Sequence, residues 1–196
     1  MTFSSVPKKP KRPKQSPAIY ELRITLQDVK PAIWRSFRFP ADAALSDLHY
    51  VLQTVMGWTN SHLHAFEHEG DRYVEPGPDF EMDGADIDTD DVTVGELLRK
   101  AGDDLMYEYD FGDGWSHMVT LTAIHCDDGP EVWCIDGKRA CPPDDCGGPG
   151  GYANLLGILV LLCYKYQGPQ LAHRRCCMIK RMSSCLMVRM DVGERR

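Results

Sequence analysis

Basic residues are scarce where the fold must lie. Of 22 basic and 29 acidic groups, 5 basic fall in residues 1–17, and 8 basic with 2 acidic fall in 160–196; residues 18–159 hold 9 against 27. A body this acidic repels a phosphate backbone, which argues against a DNA-reading fold and confines any nucleic-acid contact to the tails or to a local patch. A long apolar run is also missing. The stretch 157–164 is apolar but far too short to cross a bilayer, so no membrane partner is expected. No secretory signal is legible at the start, where basic residues are followed by prolines rather than by an apolar segment. The 8 cysteines therefore read as thiols or metal ligands of a reducing compartment, not as a disulfide framework. The expected location is intracellular and cytoplasmic, with nuclear import through the basic arm as the alternative in a eukaryotic source. No internal repeat is found.

What is present divides into three parts. Residues 1–17, with Lys8-Lys-Pro-Lys-Arg-Pro-Lys14, read as a disordered basic arm, because prolines and like charges cannot build a core. Residues 18–159 carry the folding pattern. Residues 160–196, rich in Cys, Met and basic groups without clean periodicity, form an atypical tail on which no function is built.

Within 18–159, Tyr20, Leu22, Ile24 and Leu26 alternate with Glu21, Arg23, Thr25 and Gln27, the period of a half-buried strand. Residues 33–39 read as its hairpin partner. Leu45, Leu48, His49, Leu52, Val55 and Met56 recur at helical spacing, with Ser46 as N-cap and Gly57 as stop. Residues 62–68 and 72–75 flank Glu-Gly-Asp as a second hairpin, and 105–111 with 115–124 make a third. Thr93-Val-Gly-Glu96 is a capping box opening a helix through Lys100. Residues 76–91 read as a solvated Pro/Gly/Asp loop. Interspersed strands and helices with antiparallel pairings predict one compact α+β domain of hairpins packed with a few helices.

Several ordered segments carry a resemblance. They are Tyr20-Glu-Leu-Arg-Ile-Thr-Leu26, Lys30-Pro-Ala-Ile-Trp-Arg35, Leu45-Ser-Asp-Leu-His-Tyr50, Met56-Gly-Trp-Thr-Asn-Ser-His-Leu-His64, Tyr107-Glu-Tyr-Asp-Phe-Gly-Asp-Gly-Trp115 and Cys141-Pro-Pro-Asp-Asp-Cys-Gly-Gly-Pro149. Across residues 19–156 the chain resembles the plasmid pRiA4b Orf-three-like family, also labelled insertion-sequence passenger proteins of the TnpR type. The resemblance implies a compact α+β domain carried on plasmids and transposons, and it implies no particular reaction. No serine- or tyrosine-recombinase signature accompanies the resolvase-like label. In the family an acidic helical segment follows the Gly-Gly-Pro-x-Gly-Tyr motif; here the Cys/Met/Arg tail takes its place.

Candidate chemistry clusters in the same motifs. Cys134, Cys141 and Cys146, preceded by His125, offer zinc's preferred donors, although their spacing is looser than paired Cys-x2-Cys knuckles; buried thiols are the competing reading. Zinc is thus the one cofactor to consider, and none is required. Asp110, Asp113, Asp144 and Asp145, brought together, could hold a divalent cation, or they cap backbone N–H groups in Gly-rich bends. Asp110, Asp113, His62 and His64 are the catalytic candidates, with His62 and His64 expected on one side of a strand. His49, on the apolar helix face, reads as a core histidine. The loop 79–91 holds seven carboxylates but fails the calcium-loop register, with Asp91 and Leu97 where Gly and Glu belong. Arg23, Arg35 and Arg38 on the first hairpin would form an anion-binding patch if they share a face, and Trp58, Trp115 and Tyr152 would complete a binding surface. Two readings follow: a non-catalytic binding module for protein or nucleic acid, and a metal-dependent hydrolase or nuclease using these Asp and His residues.

Overall fold

The computed structural model describes residues 18–77, 82–126 and 132–179, with the side chains of 163, 164 and 166–179 excepted. The basic arm 1–17 lies outside the described residues. The elements are β1 (Ile19–Leu26), β2 (Trp34–Pro40), α1 (Leu45–Met56), β3 (His64–His68), β4 (Asp71–Val74), β5 (Ile87–Asp88), α2 (Val94–Leu97), β6 (Asp104–Tyr109), β7 (Trp115–His125), β8 (Trp133–Lys138) and α3 (Gly148–Ile179). The strands form one sheet in the order β5-β4-β3-β6-β7-β1-β2-β8, antiparallel throughout except for β4 with β5. The compact α+β fold and its three hairpins are those the alternation predicts.

The inward residues of β1, Tyr20, Leu22, Ile24 and Leu26, join Phe37 and Phe39 of β2, Tyr107 and Tyr109 of β6 and Val119 and Leu121 of β7 in one core, closed by Leu45, Leu48, Val51, Leu52 and Met56 of α1. Burying such side chains contributes on the order of 2 kcal/mol each before entropy is set against it. β1 pairs along its full length with β7, so the third hairpin is held by the first.

Three local expectations need correction. Ser46 is not the N-cap of α1. Ala44 is, and the first N–H groups are satisfied by backbone instead: Leu45 N donates to Val92 O and Ser46 N to Thr89 O, while Ser46 Oγ bonds Asp90. The loop 76–91 is not wholly solvated. Ile87–Asp88 adds a short strand beside β4, and Asp86, its carboxylate 5% exposed, pairs with Arg72 at 3.5 Å. α2 ends at Leu97 rather than Lys100, because Leu98 turns extended into the core and Asp103 takes the N–H groups of Arg99 and Lys100. α3 runs from Gly148 to Ile179, across the expected boundary at 159. Gly57 does stop α1, at φ 85°, and Glu96 does accept from Thr93 N and Oγ1 at 2.7 and 2.8 Å. β8 was not anticipated. It adds an edge to β2, and its Gly137 is required because a Cβ there would lie 2.6 Å from Arg35 Cδ.

Candidate functional site

The two motifs that dominate the sequence meet at one corner. The β6–β7 turn 110–114 carries Asp110, the segment before α3 carries Asp144 and Asp145, and the turn between α1 and β3 carries His62. His62 Nε2 lies 3.3 Å from Asp145 Oδ1 and 3.7 Å from Asp110 Oδ2. These three donor atoms lie within 4.8 Å of one another, and among the described residues no other group of three His, Cys, Asp or Glu side chains meets that distance. Asp110 is nearly enclosed, His62 is a quarter exposed and Asp145 stands in solvent at 77%.

Local sequence explains why the chain bends here. Asp110 and Asp145 both adopt left-handed backbone, at φ 56° each, as does Asn60 at φ 56° two residues before His62. Asn and Asp tolerate this region best among side-chain-bearing residues, and clustered departures of this kind mark functional sites. Asp110 Oδ1 accepts from Gly112 N at 3.0 Å and Asp113 N at 3.3 Å, which closes the turn and leaves Oδ2 directed at His62. Asp113 Oδ2 accepts from Gly147 N at 3.1 Å, tying the two motifs together. Asp144 Oδ2 accepts from Thr59 N and Oγ1 at 3.2 and 2.8 Å, tying the second motif to the His62 turn. The glycines serve close approach: a Cβ on Gly148 would strike the Asp113 carbonyl oxygen, and one on Gly151 the Cys146 carbonyl oxygen.

Behind the corner lies a wall of buried rings. Trp58 stacks on Tyr109 at 4.8 Å and meets His117 edge-on at 5.0 Å. His49 and His64 stack at 3.5 Å with their planes 8° apart. Burial lowers the pKa of His49 to about 4, of His64 to about 3 and of His117 to about 4, so all three rings are neutral near pH 7. Burial also raises Tyr107, which donates and accepts as a neutral phenol.

The structure sorts the predicted site residues. His62, Asp110 and Asp145 converge. Asp113 and Asp144 adjoin them in the turn-capping roles weighed for them. The expected strand pair of histidines does not form: His64 opens β3, enclosed against Tyr107, while His62 lies on the bend before it, against Tyr109. The cysteine set does not assemble. Cys134 is disulfide-bonded, against the expectation of free thiols. His125 pairs with Glu21 at 3.3 Å. The Cys141 thiol, pushed by burial up to about 11, contacts Arg35 and Met56, and burial raises Cys146 as well.

The surface reading is also revised. Arg35, Trp58, Trp115 and Tyr152 are buried at 7%, 8%, 0% and 8% exposure, so none can form a contact surface. Arg35 turns inward, donating to the carbonyls of Val55, Trp34 and Lys138. Arg23 and Arg38 do face outward, Arg23 stacked over Trp34 at 3.8 Å and Arg38 opposite Glu21. A cleft of about 1070 Å³ opens elsewhere, beside Glu67, Arg72, Arg99, Lys100, Met106 and Met118; it shares no residue with the corner and mixes both charges without convergence. Asn60 and Gln53 escaped the sequence reading. The available signal was Gln53 standing four residues after His49 on the apolar face of α1.

With this geometry in place, the comparisons assign the chain to a family. Residues 18–162 match the family described as plasmid pRiA4b ORF-3-like protein, and the chain belongs to it. The uncharacterized protein y4hQ of Sinorhizobium fredii is 38% identical over 148 residues, covering 72% of this chain and 73% of that protein. The crystal structure of MM3350, a protein of unknown function from Methanosarcina mazei Go1, superimposes with a TM-score of 0.62 at 26% identity, over 82% of this chain and 88% of that one. Neither relative brings an activity with it. Among the described residues no helix is long and apolar enough to cross a membrane.

Proposed function

We propose that this chain is a metal-centred binding module in which His62 Nε2, Asp110 Oδ2 and Asp145 Oδ1 hold one divalent ion whose open side engages a partner protein. The observation that carries the reading is the spacing of the three donors. Zinc-type bonds of about 2.0–2.2 Å in tetrahedral array put neighbouring ligands roughly 3.3–3.6 Å apart. Here the two separations from His62 are 3.3 and 3.7 Å, and His62 Nε2 is buried without a hydrogen-bond partner, an arrangement that suits an ion between the donors. One imidazole and two carboxylates suit zinc or manganese better than magnesium or calcium, which favour all-oxygen sets. The exposed flank at Asp145 leaves the fourth position open. Asp113, Asp144 and the acid excess of the body favour a protein donor over a phosphate backbone.

A hydrolase is the second reading, favoured by the same three-ligand set, which is the pattern of catalytic rather than structural zinc. It needs a general base within reach of the ion. The nearby His49, His64 and His117 are buried with lowered pKa values, and Asp113 and Asp144 each hold backbone N–H groups. Those engagements support binding over catalysis.

The test is metal content and affinity. Chelator-stripped protein is titrated with Zn²⁺ and with Mn²⁺, and bound metal is counted by elemental mass spectrometry. About one ion per chain is expected. His62→Ala and Asp110→Asn lose it, Asp110→Asn keeping the Oδ1 cap, and Cys141→Ser with Cys146→Ser retains it. No stoichiometric binding, or binding unchanged in both His62→Ala and Asp110→Asn, sinks the proposal.

A further inference from the structure

We infer that Asn60 is the positioning residue of this corner, locked by a closed ring of hydrogen bonds that joins α1, β6 and the His62 turn; the inference rests on the metal reading above. The ring runs through four residues. Asn60 N donates to Gln53 Oε1 at 3.0 Å, Gln53 Nε2 donates to Tyr107 Oη at 2.8 Å, Tyr107 Oη lies 2.9 Å from His49 Nδ1, and His49 Nε2 lies 2.7 Å from Asn60 Oδ1.

The Asn60 N–H fixes the orientation of the Gln53 amide, and the Asn60 oxygen set against His49 Nε2 fixes the remaining directions. A backbone N–H can only donate, so the Gln53 atom it meets is the amide oxygen, and the amide nitrogen must face Tyr107. The phenol oxygen then accepts from Gln53 and gives its own proton to His49 Nδ1. That leaves the His49 proton on Nε2, where Asn60 Oδ1 accepts it. His49 and Tyr107 are wholly buried and Gln53 is 3% exposed, so water does not compete for the two bonds that meet at Tyr107, while Asn60 closes the ring from the exposed side.

The consequence reaches His62 through two residues of backbone. The ring holds Asn60 by both its N–H and its side chain in left-handed conformation. The chain then turns so that Ser61 N donates to Tyr109 Oη at 3.2 Å, the His62 N–H is directed at the same oxygen, and the His62 ring packs edge-on to Tyr109 at 5.8 Å. Tyr107 and Tyr109 are alternate residues of β6, and the strand delivers Asp110 immediately after them. The segment Tyr107-Glu-Tyr-Asp110 thus aims two ligands at once, one directly and one through Asn60. A metal site is sensitive to such orienting partners, whose loss typically weakens affinity 10–100-fold.

The experiment uses the whole chain and three variants, with Zn²⁺ affinity measured by competition against a chromophoric chelator. Asn60→Gly keeps the left-handed backbone but deletes the Oδ1 link, Tyr107→Phe breaks the ring on its far side, and Asn60→Asp keeps both the conformation and the acceptor. The ring predicts affinity weakened at least about 10-fold in Asn60→Gly and Tyr107→Phe, with Asn60→Asp within about threefold of the parent. Wild-type affinity in both Asn60→Gly and a folded Tyr107→Phe overturns the inference; should Tyr107→Phe not fold, Asn60→Gly alone decides. Long-range ¹H–¹⁵N spectra of the histidines in metal-free protein separate this from failure of the metal reading. They should show the His49 proton on Nε2, and a His62 signal displaced in Asn60→Gly. If the parent binds no zinc but these signals appear, the metal reading fails and the ring stands. A His49 proton on Nδ1, or an unmoved His62 signal, refutes the ring.

Discussion

Replacing His117 with phenylalanine isolates one source of acid sensitivity in this domain. His117 is wholly buried on β7, its Nδ1 3.2 Å from the Tyr107 carbonyl oxygen and its ring edge-on to Trp58. Burial lowers its pKa from 6.5 to about 4. The unfolded chain therefore binds the proton first as pH falls, and stability declines from about pH 6.5 downward until the folded form titrates as well near pH 4. At about pH 5 the unfolded histidine is almost fully protonated and the folded one about a tenth, a loss on the order of 2 kcal/mol relative to neutral pH. Phenylalanine does not titrate, and its loss of the Nδ1 bond, roughly 1 kcal/mol, is the same at both pH values. His49 and His64, lowered in the same direction, steepen the decline equally in both proteins. Urea unfolding of chelator-treated parent and variant, near pH 7.5 and near pH 5, gives the double difference. The variant should lose on the order of 2 kcal/mol less than the parent over that interval. An equal decrement in the two proteins would mean that His117 is not held neutral by burial.

Two further outcomes follow from close packing and from buried charge. Gly148→Ala places a Cβ against the Asp113 carbonyl oxygen at φ 65° and should destabilise by roughly 2–4 kcal/mol in chemical denaturation. Gly150→Ala, with open space around its Cβ, should be neutral or slightly stabilising; similar effects at both positions would contradict the packing argument. Arg35→Met strips donors from the part-buried carbonyls of Val55, Trp34 and Lys138 and should lower stability by about 1–3 kcal/mol, visible as a lower thermal midpoint. A loss under about 0.5 kcal/mol would place Arg35 in solvent.

The central hairpins were legible because alternation is a direct readout of a sheet with one buried face, as in Tyr20 to Leu26. The same rule carried unused information at β2: Phe37 and Phe39 face inward, so Arg35 shares their side and Arg38 does not. β8 was harder. Trp133-Cys-Ile-Asp-Gly-Lys138 is an edge strand of half-buried and exposed residues, with Gly137 against Arg35, so no alternation onto the core marks it. Ser46 misled because backbone carbonyls of 89 and 92, distant in sequence, took the N–H groups a cap would serve. The corner was half visible. Gly and Asp spacing announced the turns, but Asp110 uses one oxygen as a turn cap and directs the other at His62, two roles that spacing alone cannot separate. His62 and Asp145 are brought together by the fold across more than eighty positions, and neither sits in a motif that names the other.

The most direct test of the account is an anomalous-difference map from crystals of the chelator-stripped protein soaked in zinc. The account predicts one strong peak about 2.0–2.2 Å from His62 Nε2, Asp110 Oδ2 and Asp145 Oδ1, with a fourth position facing solvent. A corner without a peak, its imidazole hydrogen-bonded straight to a carboxylate, or zinc bound instead at Cys141 and Cys146, would contradict it.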